Sequence, residues 1–257
     1  MEKSSDPGER HPVALVTYPT TLHAWVLDLP GCIAGALDEA ALAATLPITI
    51  AEHLAWLSRH GERLESRTGW RVVERLDGRD YERLGGEFCL DADRAALAPD
   101  ELERLIRRMT FARAGLLAAV DGLPDALLDW QPPLSAMRSV DPWAPEARTI
   151  RGVLEHVLQL EAYYRDGLRD GPSSGIFSPV SDPTTERALT LDLLRALDDA
   201  TRSRVYRPTR PSRDHAEEWT VRKLIRRTIS HERAHTAEIQ QRRTWPLLGL
   251  PTYPSNE

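Results

Sequence analysis

The sequence is poor in cysteine, with only Cys32 and Cys89 among 257 residues. Two cysteines are too few for a disulfide framework or for a zinc site built on thiolates.

No run approaches about 18 consecutive apolar residues, so we expect no transmembrane helix and no membrane partner. Residues 1–12 lack the apolar core of a signal peptide. A cytoplasmic location is therefore the expectation.

Lysine is also scarce, because Lys3 and Lys223 are the only lysines among 33 basic residues. The acidic residues outnumber the basic ones, which gives a net charge of −6 and a pI near 5.8. This balance argues against a dedicated nucleic-acid binder. The apolar share of 41% is that of a folded chain, and the length suits one large domain or two small ones.

Residues 11–92 have the pattern of an α+β domain. Short runs rich in β-branched and aromatic residues, separated by turn residues, predict four strands, at residues 13–18, 22–28, 70–76 and 86–90. Residues 37–60 have a helical pattern, which we expect Pro47 to kink or divide.

Residues 97–250 contain no convincing strand and predict an all-α four-helix bundle. The first helix begins at Pro99 and carries one apolar stripe at three- and four-residue spacing. Thr149 and Thr220 are natural N-caps for the second and fourth helices. The last three helices are expected at about residues 149–168, 185–205 and 220–244.

Three of the eight histidines lie on predicted bundle helices: His156 on the second, His231 and His235 on the fourth. Residues four apart share one helix face, so the pair on the fourth helix can bind one metal ion. The neighbouring apolar residues place all three rings on inward faces, where imidazoles need partners. A divalent metal with three histidine ligands explains them, and three separate hydrogen-bonded core histidines are the alternative. Three ligands leave a position for water or substrate.

The segment from His231 to His235 also reads HERAH, which matches the HExxH motif of zinc peptidases. The 22 residues that follow contain no histidine to serve as third ligand, so a peptidase is the weaker interpretation. Glu232 points about 100° away from His231 and is expected to be a solvated surface residue, although it remains a candidate base. Glu238 lies nearer the histidines and is expected to orient one of them.

Residues 97–250 resemble the DinB/YfiT-like superfamily. The resemblance is carried by TIRGVLEHVLQLEAYY at 149–164, WTVRKLI at 219–225, HERAHTAEI at 231–239 and LDWQPP at 128–133. It implies a four-helix bundle that binds zinc or nickel through His156, His231 and His235. Several members of that superfamily are S-transferases or isomerases that use low-molecular-weight bacterial thiols, and many have no assigned reaction.

Residues 11–92 resemble a HicB-like domain through DLPGCIAG at 28–35 and DEA at 38–40. The sequence departs from that pattern at Ala36 and Leu37, where Thr or Ser commonly precedes the helix. The resemblance implies a scaffold or dimerisation role, and the strands of this region offer edges for a homodimer.

The segment from the end of the third predicted helix to the start of the fourth contains five arginines, of which Arg207 and Arg210 are the central candidates for binding an anion. The clamp would recognise carboxylates of a thiol cofactor or substrate. A solvated arginine-rich linker is the alternative.

These observations together predict a bacterial cytoplasmic, metal-dependent enzyme acting on small molecules, as a thiol-dependent S-transferase, isomerase or hydrolase. The bound metal would activate a thiol or a water molecule. Because histidines bind metal as neutral rings, occupancy should fall below about pH 6.5. A non-catalytic metal-binding or stress-response module is the alternative from a different class.

Overall fold

The computed structural model describes residues 10–64, 67–78, 88–131, 149–172, 182–209 and 217–248. Within these ranges, the N-terminal part contains four strands and one long helix, in the order β1 (His11–Thr17), β2 (Leu22–Val26), β3 (Ile33–Ala36), α1 (Glu39–Arg59) and β4 (Trp70–Asp77). The C-terminal part contains four long helices, α2 (Pro99–Val120), α3 (Ile150–Asp166), α4 (Pro183–Ala196) and α5 (Val221–Thr244). The predicted α+β region followed by a helical region is thus confirmed.

The four strands form one mixed sheet with the order β3-β2-β1-β4. β1 pairs antiparallel with β2 and parallel with β4, and β2 pairs antiparallel with β3. The strands predicted at 13–18, 22–28 and 70–76 correspond to β1, β2 and β4. Prediction missed β3, whose sequence IAGA has too few strand-favouring side chains. The strand predicted at 86–90 is wrong for residues 88–90, and its first two residues lie outside the described ranges.

Helix α1 is continuous through Pro47, so the expected division at this proline is wrong. Asp38 caps the helix by accepting a hydrogen bond of 2.7 Å from the backbone N–H of Ala41. Leu42 and Leu46 before the proline, and Leu57 after it, are buried, and α1 packs on β2 and β3. Burial on both sides of the proline keeps the two halves in one helix despite the lost backbone hydrogen bond.

By length and composition alone, α1 would also suffice to cross a membrane. The buried core helix of a globular domain meets the same criteria, and one face of α1 is packed on the sheet. The absence of a membrane partner therefore stays a prediction.

The predicted caps of α3 and α5 are confirmed: the hydroxyl of Thr149 accepts from the N–H of Gly152, and that of Thr220 from the N–H of Lys223.

The third helix of the predicted bundle, α4, is shorter than expected. α4 ends at Ala196, and a separate short helix covers Asp199–Arg202. Its start is fixed by Asp198, whose side chain accepts from the N–H of Thr201.

One short feature of the C-terminal part was not expected. The two-residue strands Gly171–Pro172 and Pro208–Thr209 form a parallel pair. They join the chain after α3 to the chain before α5, where the sequence predicted no strand.

Helix α5 is central to the C-terminal part, because it packs against both α2 and α3, while α3 also packs against α4. A single cluster of buried apolar side chains includes Leu15 of β1, Leu46 of α1, Leu105 of α2 and Ile229 of α5. The N-terminal and C-terminal regions therefore share one core. The boundaries at 11–92 and 97–250 stay a prediction.

The turn between β2 and β3 contacts α5 directly through Gly31. This glycine has a φ of +92°, a conformation that side-chain-bearing residues rarely adopt. A Cβ added at Gly31 would collide with the side chain of Ile229 and approach the backbone nitrogen of Ser230 to 3.4 Å. Because Ile229 and Ser230 immediately precede His231, this turn helps to fix α5 beside its histidines.

Replacing Gly31 with Ala should lower the free energy of unfolding by about 2–4 kcal/mol, from backbone strain together with overpacking against Ile229. Gly61→Ala is the matched control, because Gly61 also has a positive φ, +81°, but an added Cβ meets no atom within 4 Å. It should cost only about 1 kcal/mol. Urea denaturation measures both values, and equal losses in the two variants would contradict the contact with α5.

Candidate metal centre

The three predicted histidines lie together between α3 and α5. His231 and His235 are one turn apart on α5, and His156 faces them from α3. The Nε2 atoms of His231 and His156 are 3.2 Å apart, and those of His235 and His231 are 3.1 Å apart. One ligand atom from each ring lies within 4.8 Å of the other two. The sequence pattern thus identified a real cluster of side chains.

The spacing of these nitrogens fits a tetrahedral metal site. Zinc–nitrogen bonds of about 2.0–2.1 Å place two ligand nitrogens about 3.3 Å apart at the tetrahedral angle. The two Nε2 separations lie close to that value. A neutral imidazole has a lone pair on one nitrogen, and each of the three rings can direct that lone pair at a shared cation. The three histidines can therefore hold a divalent metal.

Burial keeps the central histidine neutral. Desolvation is the main cause that lowers the pKa of His231 well below its ordinary value, and the neighbouring His235 and His156 rings and the Arg227 guanidinium lower it further. The His231 ring is therefore uncharged at neutral pH and keeps a lone pair available for a metal.

Glu238 lies one helical turn beyond His235 and orients its ring. Nδ1 of His235 donates a hydrogen bond of 2.6 Å to Oε2 of Glu238, which leaves Nε2 of that ring as the acceptor facing the cluster. Burial alone would raise the pKa of Glu238, but the hydrogen bond from His235 and the charge of Arg242 outweigh it and lower the pKa. Glu238 is therefore a carboxylate at neutral pH. Its side chain lies where the sequence predicted.

The sequence profile of the DinB superfamily matches residues 108–239, slightly more than half of the chain. The match includes α3, α4 and all three histidines. The chain belongs to the DinB superfamily. Residues 11–92 lie outside the match, and their HicB-like resemblance stays a prediction.

A solved structure similar to this DinB chain is that of YfiT from Bacillus subtilis. That protein is described as a probable metal-dependent hydrolase with an unusual four-helix bundle topology. The two sequences are 19% identical, the TM-score is 0.38, and the match covers 61% of this chain and 92% of the YfiT chain. No curated protein matches the sequence.

Two side chains beside the DinB histidines were not predicted. The ring of Tyr164, which is fully buried on α3, lies 6.0 Å from the ring of His231 between centroids. Nη2 of Arg227 donates a hydrogen bond of 3.3 Å to the Tyr164 hydroxyl. The sequence spacing could have predicted the position of Arg227, because this residue lies four before His231 and hence on the same helix face.

The prediction that Glu232 is solvated is wrong, since only 1% of this residue is exposed. Its Oε1 accepts hydrogen bonds of 2.7 Å from Nε of Arg113 on α2 and from Nη2 of Arg187 on α4. The charges of these two guanidinium groups favour the ionised form of Glu232, against the effect of its burial. Glu232 therefore points toward the arginines of α2 and α4, which bind its Oε1, although His231 is the preceding residue.

Glu161 of α3 completes a buried network that joins all four long helices. It accepts a hydrogen bond of 2.8 Å from Nε of Arg187 and another from Nη2 of Arg113. Burial would raise the pKa of Glu161, but the charges of Arg187 and Arg113 outweigh it and hold the pKa below its ordinary value. Burial raises the pKa of Glu232 above its ordinary value, although the charges of Arg187 and Arg113 oppose that rise. The network thus contains two guanidinium groups and two carboxyl groups.

The sequence could have predicted the burial of two members of this network, but not how they pair. Arg113 follows Met109 by four residues and Glu161 follows Val157 by four, so both lie on apolar, inward helix faces. The partner of each charge lies on another helix, and local spacing does not reveal it.

The predicted anion clamp gains no support from the described residues. Nη2 of Arg207 donates a hydrogen bond of 2.8 Å to Glu218, and its backbone N–H donates to Asp170. An acidic residue thus already binds this guanidinium. Arg210, the second member of the clamp, lies outside the described ranges.

Substituting Glu232 with Gln should lower the free energy of unfolding by about 3–5 kcal/mol, because it leaves two buried guanidinium groups against a single carboxylate. Thermal or urea unfolding of the purified variant tests this. Glu155→Gln on the exposed side of α3 is the control and should change stability by about 0.5 kcal/mol or less. A Glu232→Gln variant as stable as the control would show that the network contributes little.

Proposed function

We propose that this protein is a metal-dependent enzyme acting on small molecules, with one divalent ion, zinc or nickel, held by His156, His231 and His235. The observation that carries the proposal is the position of Nε2 of His231, 3.2 Å from that of His156 and 3.1 Å from that of His235, with one ligand atom of each ring within 4.8 Å of the other two. Membership of the DinB superfamily agrees with it.

The chemistry follows from the number of ligands. Three histidines leave at least one coordination position open, as in catalytic rather than structural zinc sites. A metal bound there would lower the pKa of a thiol or water molecule and make it a nucleophile near neutral pH. Glu238 keeps the His235 ring oriented by accepting the proton of Nδ1, and burial keeps His231 neutral.

The reaction proposed for this site is a thiol-dependent S-transfer, an isomerisation or a hydrolysis. The co-substrate of the first two would be a low-molecular-weight thiol, in the bacterial cytoplasm. The net charge of −6 disfavours nucleic acid as the partner.

The proposed role of the N-terminal region is that of a scaffold. Support comes from the Gly31 turn, which contacts α5 two residues before His231. The outer strands of the sheet, β3 and β4, provide the edges through which two copies would pair as a homodimer.

Two alternative functions differ in what they require of the site. A non-catalytic module needs the metal only as a structural ion or not at all. A HExxH peptidase needs Glu232 as general base, but its Oε1 is bound by Arg113 and Arg187. The second alternative is therefore the weaker one.

Metal content is the first test. The wild-type protein should bind one zinc or nickel ion per chain, whereas His231→Ala and His156→Ala should lose stoichiometric metal, because each removes one of three ligands. Glu238→Gln should retain the ion but bind it about 10–100-fold more weakly, because the His235 ring loses its carboxylate partner. Mass spectrometry of the metals after dialysis, together with calorimetric titration, measures both effects.

The control is His60→Gln, which removes a histidine outside the cluster and should leave metal content unchanged. Circular dichroism verifies that each variant is folded. Full metal occupancy in folded His231→Ala and His156→Ala proteins would overturn the proposed centre.

Turnover separates the enzyme from the non-catalytic module. If the protein is an enzyme, consumption of electrophilic substrates in the presence of small thiols should cease on chelation and return when zinc or nickel is restored. The Glu232→Gln variant, assayed where it is still folded, should retain this activity. Turnover that survives complete metal removal would contradict the metal-dependent mechanism.

A further inference from the structure

A cleft of about 380 Å³ lies between the C-terminal end of α1 and the second halves of α2 and α5. Its α5 wall contains Arg233, Thr236, Ala237 and Gln240. At about 100° per residue these positions lie on the side of α5 opposite to the histidine pair. The cleft is therefore separate from the candidate metal centre, and a ligand bound in it is independent of the proposed function.

The charged side chains that line the cleft are positive. Among the residues that the structure describes, three arginines line it, namely Arg59, Arg233 and Arg243, and no aspartate or glutamate does. Among the described residues, no carboxylate lies within ion-pair distance of these three guanidinium groups, of which Arg59 is exposed and the other two are half-buried. By contrast, four buried arginines are each paired with a carboxylate, namely Arg108, Arg113, Arg187 and Arg226. Arg233 instead contacts His53, and Arg243 donates to the carbonyl oxygen of Ala119 at 3.0 Å.

Aromatic rings form the α1 side of the cleft and continue onto α2. His60 stacks on Phe111 with centroids 4.3 Å apart and an interplanar angle of 20°, and Trp56 meets Phe111 edge-on at 6.4 Å. The guanidinium carbon of Arg233 lies 4.5 Å from the centroid of Trp56. Flat apolar surfaces and positive charge are thus adjacent in one cleft.

Small residues on α2 leave the open volume of the cleft. On α2 its lining includes Gly115 and Ala118, and a Cβ added at Gly115 would meet no atom within 4 Å. A glycine within a helix costs stability relative to alanine, and here the missing side chain leaves open space instead of a close contact. The volume lies near the lower end of small-molecule sites, which suits a ligand of about two fused rings.

We propose that this cleft binds a planar aromatic molecule that carries one carboxylate or phosphate group. The ring system lies against the aromatic cluster of Trp56, His60 and Phe111, and the acidic group is bound by Arg59 and Arg233. Arg243, about 15 Å from Arg233 along α5, lines the other end of the cleft. Guanidinium groups recognise both anions through paired hydrogen bonds. The site is a second binding site of the protein, on the opposite face of the helix that bears the histidines.

The test is calorimetric titration of the full-length protein with 2-naphthoate, 2-naphthyl phosphate and the uncharged 2-naphthamide, with and without a metal chelator. At least one anion should bind with one molecule per chain, and 2-naphthamide should bind more weakly by about tenfold or more. Chelation and His231→Ala should leave this binding unchanged. The tighter of the two anions identifies the acidic group.

Three variants locate the ligand. Gly115→Leu fills the cleft, and Arg59→Gln and Arg233→Gln each remove one of the two charges proposed to bind the acidic group, so each should weaken binding of the anion by about tenfold or more. Arg195→Gln removes an equal charge from an exposed position of α4 and is the matched control. If Gly115→Leu does not fold, as judged by circular dichroism, the two arginine variants still decide the outcome.

Several results would overturn the proposal. One is the lack of saturable binding of either anion at concentrations up to about 1 mM. Another is binding that survives unchanged in the cleft variants, or that is lost with His231→Ala or the chelator, because the ligand would then lie elsewhere or on the metal. Equal affinity for 2-naphthamide would show that the arginines do not recognise an anion.

Discussion

The buried network of Arg113, Glu161, Arg187 and Glu232 is the interaction on which the rest of the helical region depends. Its four side chains come from four different helices, and each of its carboxylates is bound by both of its guanidinium groups. Charges that are almost fully buried tolerate little displacement, because the loss of a partner leaves a charge in a medium of low dielectric constant. The network therefore fixes how the helices are rotated relative to one another. Since Glu232 is next to His231, it also fixes the direction in which the histidines point.

Helix α5 is thereby divided into faces with different chemistry. One face carries His231 and His235, the adjoining one carries Glu232 into the ionic network, and the opposite side lines a positively charged cleft. Apolar residues nearer its N-terminal end, such as Ile225 and Ile229, belong to the core shared with the sheet. A single helix thus connects the candidate metal centre, the folding core and the second cleft.

Much of this arrangement could be predicted from local patterns. The caps at Thr149 and Thr220, the apolar stripe of α2 and the inward faces of the histidines all depend on residues a few positions apart, and the structure contains each of them. The resemblance to DinB proteins supplied the pairing of α3 with α5, which spacing alone does not give. Glu232 was misplaced because its partners, Arg113 and Arg187, are distant in the sequence. The cleft could not be predicted from local spacing either, because its walls come from three helices that are distant in the sequence.

The contact of the Gly31 turn with Ile229 has a consequence for any attempt to isolate the helical region. Truncation of the chain before α2 would remove the sheet and α1, and the side chains of Ile225 and Ile229 would lose the strands that share their cluster. Each aliphatic side chain transferred to water in this way costs about 1.5–3 kcal/mol. The match to the DinB superfamily begins inside α2, but helices excised there would expose an apolar surface along α5. Such a fragment is expected to aggregate rather than behave as a minimal enzyme.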